Sequence, residues 1–167
     1  TFRHKFVHKI PDTLPYDKAA LVEPISVGYH SLEAGDFKPG MTAVVSGAGT
    51  IGLATIESLK AMGASKVFVI QRKSVRQEYA KNSGADAVLD PAECDVVAEV
   101  MRLTDGCGAD IAFECTGAQA CFDQEVAAVH AGGTVVVTSI WEKGVSFDLN
   151  ALVIPEKKIV GSICYCG

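Results

Sequence analysis

From Met41 onward the chain alternates short apolar, β-branched runs with segments of helical length. The runs are "TAVVS" (Thr42–Ser46), "KVFVI" (Lys66–Ile70), "AVL" (Ala87–Leu89), "DIAFE" (Asp110–Glu114), "TVVVT" (Thr134–Thr138) and "KIVGSICY" (Lys158–Tyr165). They are continuously apolar rather than alternating, as expected of parallel strands covered on both faces. The segments between them predict helices over Ile51–Met62, Val75–Ser83, Cys94–Leu103 and Ala118–Val129. Each is followed by glycine as a stop signal: Gly63, Gly84, Gly106, and Gly132 with Gly133. Alternating β and α units joined by right-handed crossovers predict an α/β fold, a doubly wound six-stranded parallel sheet with helices on both faces.

The first forty residues read differently. A proline-punctuated lead-in gives way to a predicted helix from about Asp17 to Leu32, and "KPGM" turns the chain into the first strand. Residues 1–40 are thus expected to border another part of a larger protein, and 41–167 to form the nucleotide-binding unit.

Composition narrows the class. Apolar residues make up 49% and charged residues 21% of the chain, a globular balance. A net charge of −5 argues against a nucleic-acid or anionic-membrane partner, since either needs a basic face. No apolar run reaches the ~20 residues of a membrane span, and no signal-peptide pattern opens the sequence. The ends, Thr1 and "CYCG", suggest a piece of something longer. The six cysteines lack Cys-x-x-Cys spacing, so reduced thiols in a cytoplasmic protein are expected. Cys164 and Cys166 would share one strand face and could bind metal. Cys115, in an apolar run, reads as a small core residue. His4, His8, His30 and His130 show no ligand spacing beyond the first two, and surface or packing roles are expected.

The chemistry resides in "VVSGAGTIG", which sets Gly47, Gly49 and Gly52 in G-x-G-x-x-G spacing. The first glycine permits the tight strand-to-helix turn, the second lets a pyrophosphate approach the backbone, and the third lets helix and strand pack closely. Amides at Thr50 and Ile51 then face the anion with the positive end of the helix dipole. Protein kinases carry a similar trio, but here it follows a strand, opens a helix and sits in a βαβ unit ending at Ile70.

"AALVEPISVGYHSL", "KPGMTAVVSGAGTIGLATIESLKAMGASKV", "NSGADAVLDP", "TDGCGADIAFECTG", "AGGTVVVTSIW" and "KKIVGSICY" run in order from Ala19 to Tyr165. Together they resemble the cofactor-binding domain of the zinc-dependent medium-chain alcohol and polyol dehydrogenases, most of all the sorbitol, threonine and butanediol branch. The resemblance implies that the catalytic domain, with its zinc ligands and proton relay, lies outside this chain, and that the chain alone is inactive. It implies that Glu23 lies near the catalytic zinc, either as a ligand or behind a bound water. A helix-start carboxylate favoured by the dipole is the alternative. It places Val27 near the nicotinamide, and gives Cys115, Thr116, Gly117, Ser139, Ile140 and Trp141 the carboxamide end, Trp141 being equally open to an ordinary packing role. It also implies a homodimer or tetramer built through the last strand.

Gln71 stands 19 residues beyond Gly52, where NAD-binding domains commonly place a carboxylate for the ribose hydroxyls. Glutamine does not repel a 2′-phosphate, and Arg72, Lys73 and Arg76 follow it. NADP is therefore expected over NAD, with Arg76 the less discriminating of the cations. The expected activity is hydride transfer between a secondary alcohol or polyol (or ketone) and NAD(P), with zinc in the full-length enzyme. The alternatives are a non-catalytic dinucleotide-binding or sensing module and a zinc-free, quinone-reductase-like enzyme.

Overall fold

The computed structural model describes residues 7–165. Its elements in chain order are α1 (Tyr16–Ala19), α2 (Val22–Ala34), β1 (Thr42–Ser46), α3 (Thr50–Ala61), β2 (Lys66–Ile70), α4 (Arg76–Asn82) and β3 (Ala87–Leu89). They continue with α5 (Val96–Leu103), β4 (Ala109–Glu114), α6 (Gln119–Ala128), β5 (Val129–Val137), α7 (Asn150–Val153) and β6 (Lys158–Gly161). The six strands form one parallel sheet in the order β3-β2-β1-β4-β5-β6. Chain direction across the sheet reverses between β1 and β4, the topological switch point at which open α/β sheets bind ligands.

The continuous apolar runs are explained by burial on two sides. Side chains alternate across a strand, so Ala43 and Val45 of β1 enter one core while Val44 enters the other. The first core joins Val67, Val69, Ile111 and Phe113 to Leu32 of α2, Ile56 and Leu59 of α3 and Ala80 of α4. The second joins Phe68, Ile70 and Ala112 to Val96 and Val100 of α5 and Phe122 and Val126 of α6. Truncating a fully buried phenylalanine such as Phe113 to alanine would cost about 3–5 kcal/mol, so these two layers dominate the domain's stability.

Several predicted boundaries move. The lead-in helix is broken into α1 and α2, because Pro24 is tolerated only in a first turn: in a continuous helix its ring would strike the carbonyl of Ala20. β5 starts at Val129 rather than Thr134, and Gly132 and Gly133 lie within it rather than ending a helix. Extra residues are absorbed where the β4–β5 register shifts between Ala109 and Ile111. β6 ends at Gly161, not Tyr165, since β5 has no residue beyond Val137 to pair with it, and Ser162 N–H makes the last bond to the Val137 carbonyl at 2.9 Å. Cys164 accordingly lies outside any strand, exposed and at φ 52°. Cys166 and His4 fall outside the described residues.

Two of the remaining histidines, His30 and His130, lie beside carboxylates. His130 Nε2 lies 3.1 Å from Asp110 Oδ1, while the other Asp110 oxygen accepts the Thr42 N–H at 2.7 Å. His30 Nδ1 is 3.6 Å from Glu33 Oε2, and His8 is exposed. Among the described residues no helix is long and apolar enough to cross a membrane, and Cys94, Cys107, Cys115, Cys121 and Cys164 are free thiols.

Candidate functional site at the sheet switch point

Two adjoining grooves open over the carboxyl ends of the strands. The first, of about 340 Å³, is lined by Gly47, Gly49, Ile70, Gln71, Arg72, Arg76, Pro91, Cys115, Thr116, Ala118 and Cys121. The second, of about 460 Å³, is lined by Thr116, Gly117, Gln119, Ile140, Trp141, Glu142, Lys143 and Gly144. Thr116 is common to both, so they read as one trough crossing the switch point.

The glycine loop forms the floor of the first groove. Gly47 turns the chain out of β1 at φ 86°, a left-handed conformation that L side chains rarely adopt. Its N–H bonds the Ile70 carbonyl at 2.9 Å. Gly52 is buried directly against this turn, and a Cβ there would stand 1.8 Å from the Gly47 carbonyl oxygen. Gly49, the N-cap of α3, carries no side-chain cap, and nothing lies within 4 Å of where its Cβ would be. The first-turn N–H groups of α3 therefore meet an open cradle of the kind that an anion fills. A dinucleotide pyrophosphate fits these residues.

The adenosine side is built on Gln71. Its N–H bonds the Leu89 carbonyl at 2.9 Å, its Oε1 accepts the Ala48 N–H at 2.8 Å, and its Nε2 donates to the Arg72 carbonyl at 3.0 Å. The glutamine thus ties the end of β2 to the glycine loop. Gln77 supports it from α4, donating to the Gln71 carbonyl at 2.9 Å. Arg72 and Arg76 are exposed on the groove wall, and its lining holds no acidic side chain.

The loops after β4 and β5 converge on Glu114, fully buried at the end of β4. Glu114 Oε1 accepts the Thr116 N–H at 2.7 Å and the Gly117 N–H at 3.0 Å, together with the Thr116 hydroxyl. Glu114 Oε2 accepts the Ser139 hydroxyl, and the Glu114 carbonyl accepts the Thr138 hydroxyl at 2.8 Å. One carboxylate therefore fixes both loops. Hydrogen bonds to a charged group are worth about 1.5–3 kcal/mol each, which explains how a glutamate is kept inside an otherwise apolar strand. Cys115 lies beside it, its thiol taking a 3.2 Å bond from Thr138, and burial pushes the thiol up to about 12.

Not every expected residue lines the trough. Gly47, Gly49, Gln71, Arg72, Arg76, Cys115, Thr116, Gly117, Ile140 and Trp141 do. Ser139 turns its hydroxyl to Glu114 instead, and Gly52 is buried behind the turn. Lys73 is exposed outside both linings, Ile51 is half-buried on α3, and Val27 is buried on α2. Thr50 lines a separate recess of about 280 Å³ with Leu21, Pro24 and Glu57. Ile140 is 82% exposed. Trp141 stacks edge-on against Phe122 at 6.1 Å, so it packs as well as lining the groove.

Zinc fits less well than the dinucleotide. Glu23 is exposed in the first turn of α2, and among the described residues no group of three His, Cys, Asp or Glu side chains could hold a metal ion. Glu23 is at most one donor of a set that the described residues do not complete.

The zinc-binding dehydrogenase family model matches residues 50–166. The chain belongs to the zinc-binding dehydrogenases. An (R,R)-butanediol dehydrogenase of Neisseria gonorrhoeae is 42% identical over 99% of this chain and 47% of its own length. The crystal structure of 2R,3R-butanediol dehydrogenase from Bacillus subtilis superimposes with a TM-score of 0.89 at 40% identity, over 95% of this chain and 45% of that one. A structure from Sinorhizobium meliloti 1021, described as a zinc-binding dehydrogenase bound to NADP, matches at 29% identity and a TM-score of 0.86, over 95% of this chain and 47% of that one. The chain spans about half the length of these relatives. Within the family this half is the dinucleotide-binding, doubly wound unit expected from the sequence.

Sequence reasoning passed over three residues of the site. Glu114 was legible as a charge closing the apolar run "DIAFE", ahead of Thr116 and Gly117. Glu125 falls three residues after Phe122 and beside Val126, on the buried face of α6. Cys121 gave no signal, because only the fold brings α6 against the glycine loop.

Proposed function

We propose that the trough binds a nicotinamide dinucleotide, NADP in preference to NAD. Its pyrophosphate lies over Gly49 and the first turn of α3, its adenosine ribose at Gln71, Arg72, Lys73 and Arg76, and its carboxamide end along Cys115–Gly117 and Ser139–Trp141. In the full-length protein the bound nicotinamide exchanges hydride with a secondary alcohol or polyol, or with the corresponding ketone. This substrate class is supported by the butanediol dehydrogenases that the chain resembles. Zinc ligands and the proton relay come from the rest of the protein, with Glu23 near the metal and Val27 on the nicotinamide side of α2. The chain by itself binds cofactor and turns nothing over.

The observation that carries the reading is the uncapped, open first turn of α3 at Gly49, facing Arg72 and Arg76 across one groove. The NADP preference rests on Gln71. Its side chain is engaged with Ala48 and Arg72 and brings no negative charge, so two guanidiniums are offered to a 2′-phosphate without an opposing carboxylate. The deciding measurement is the ratio of NADPH to NADH affinity. A tenfold preference for NADH would sink the NADP assignment, and failure to bind either would sink the whole reading.

A dinucleotide-binding module without chemistry remains the competing function, because the described residues hold no metal-ligand group. Zinc analysis of the full-length protein, alongside an assay with vicinal diols, separates the two. We place the protein in the cytoplasm, consistent with its free thiols. Association into a homodimer or tetramer would use the free edge of β6, where Ile159 is exposed. A monomer by light scattering of the full-length protein would refute that assembly.

A further inference from the structure

The segment between β5 and α7, residues 138–149, forms one wall of the second groove, and three anchors hold it. Ser139 donates its hydroxyl to Glu114 near the start of the segment. Trp141 and Phe147 both pack edge-on against Phe122 of α6, with ring centroids 6.1 and 5.4 Å away. The third anchor is a side-chain amide. Gln119, the first residue of α6, accepts the Ser146 N–H on Oε1 at 3.0 Å and donates from Nε2 to the Ser146 carbonyl at 2.9 Å. Nε2 also donates to Asp123 Oδ1, one turn along the helix, at 2.7 Å.

We propose that Gln119 is a positioning residue for the nicotinamide half of the dinucleotide. It pins the segment at Ser146 and so sets the wall that faces Thr116 and Gly117 across the groove of about 460 Å³. The proposal rests on the trough's being the dinucleotide site, with the carboxamide end along Ser139–Trp141.

The physical reason is direction. An amide that meets both the N–H and the C=O of one residue acts like a short piece of strand, and it fits in one orientation only. Reversed, its NH2 would meet the Ser146 N–H and its oxygen the Ser146 carbonyl. Both amide hydrogens are taken, one by Ser146 and one by Asp123, so Gln119 acts through the segment and not by donating to a ligand. The aromatic anchors do not replace it, because apolar contact is non-directional and tolerates sliding. Ile140 and residues 142–145 are exposed, so that arc takes its place from the anchors at its ends. Two neutral hydrogen bonds bias the segment toward this arrangement by roughly thirtyfold. Apparent affinity for a ligand that needs the arrangement falls in proportion to the fraction that keeps it.

The test compares the full-length protein with its Gln119→Ala and Gln119→Glu forms. Each is titrated with NADPH and NADH, and with 2′-phospho-ADP-ribose and ADP-ribose, which lack the nicotinamide ring; Tm is measured on the same samples. Alanine removes the clamp. Glutamate keeps the acceptor for the Ser146 N–H but sets a second oxygen against the Ser146 carbonyl and Asp123. Both variants are expected to bind the preferred dinucleotide about tenfold more weakly, the glutamate form at least as weakly as the alanine form. Affinity for the two ring-free probes is expected within about twofold of the wild type. Wild-type dinucleotide affinity in both variants overturns the proposal. So does an equal loss for dinucleotides and ring-free probes, which marks general loosening of the domain rather than positioning of the nicotinamide end. If the glutamate form does not fold, the alanine form decides alone. A wild type that binds none of the four probes refutes the dinucleotide site and the proposal with it, a different failure from normal binding that ignores position 119.

Discussion

Gly49 and Gly52 separate what the glycine loop does for folding from what it does for binding. At Gly52 an added Cβ would lie 1.8 Å from the Gly47 carbonyl oxygen and 3.0 Å from its carbon, both backbone atoms. Close carbon–oxygen contacts run at about 3.3 Å or more, so α3 or the turn must give by roughly 1.5 Å, the difference from 1.8 Å. That places Gly52→Ala at or above the upper end of overpacking costs, about 3 kcal/mol. For a domain of this size such a loss lowers Tm by about 6–12 °C. Gly49 is the opposite case. Its φ of −82° and ψ of −172° suit any L residue, and nothing lies within 4 Å of the new methyl. The gain of about 0.4–1 kcal/mol from a stiffer unfolded chain is offset by alanine's poorer standing at an N-cap. Gly49→Ala should therefore leave Tm within about 3 °C. The methyl nevertheless occupies the space that lets a phosphate reach the α3 amides. Losing one or two charge-assisted bonds there weakens dinucleotide binding by about tenfold to several-hundredfold. Thermal unfolding and nucleotide fluorescence titration, run on both variants of the full-length protein, read the two effects independently. Wild-type affinity in Gly49→Ala would refute the placement of the pyrophosphate. A wild-type Tm in Gly52→Ala would refute the close packing of α3 on the turn.

Three further outcomes are expected. Arg72→Ala should lower NADPH affinity by about tenfold while leaving NADH affinity within about threefold, since the guanidinium–2′-phosphate pair exists only with NADPH; equal losses for both nucleotides would show that Arg72 reads no 2′-phosphate. Glu125, whose pKa is raised in the folded state, gives stability that is complete below the unfolded carboxylate value of about 4.3 and is lost as pH rises through the folded value. The urea midpoint of Glu125→Gln should consequently fall less between pH 4 and pH 9 than that of the wild type, and parallel curves would contradict the burial of an unionised acid. At pH 8 a thiol-labelling reagent should modify the exposed Cys107 and Cys164 well before the half-buried Cys115, whose thiol burial pushes up to about 12; mass mapping that found Cys115 labelled as early as the other two would refute its shielding at the end of β4.

What could be read from the linear pattern was whatever depends on local chemistry and period. β1, β2 and β3 begin and end where the apolar runs do, because strands covered on both faces admit few polar residues within them. The glycine spacing announced its turn, since only glycine satisfies both the φ of 86° at Gly47 and the contact at Gly52. Boundaries failed where a distant partner set them. β6 stops at Gly161 because β5 runs out at Val137, and no residue between 158 and 165 encodes that. The break before α2 was present in Pro24 but needed the ring's clash with Ala20 to be located.

The sequence by itself therefore determined the parallel, doubly wound architecture, the anion-binding turn and the cationic loop after Gln71, all properties of neighbouring residues. Only the tertiary structure decided which side chains serve the groove and which serve its frame. Ser139 faces Glu114 rather than the trough, Gln71 is bound to Ala48, and Glu125 reaches from α6 to accept the N–H of Ser46, seventy-nine residues away. Buried polar groups must find partners, and across a parallel sheet those partners come from whichever strand ends and helices the topology brings together, at separations that no local pattern records.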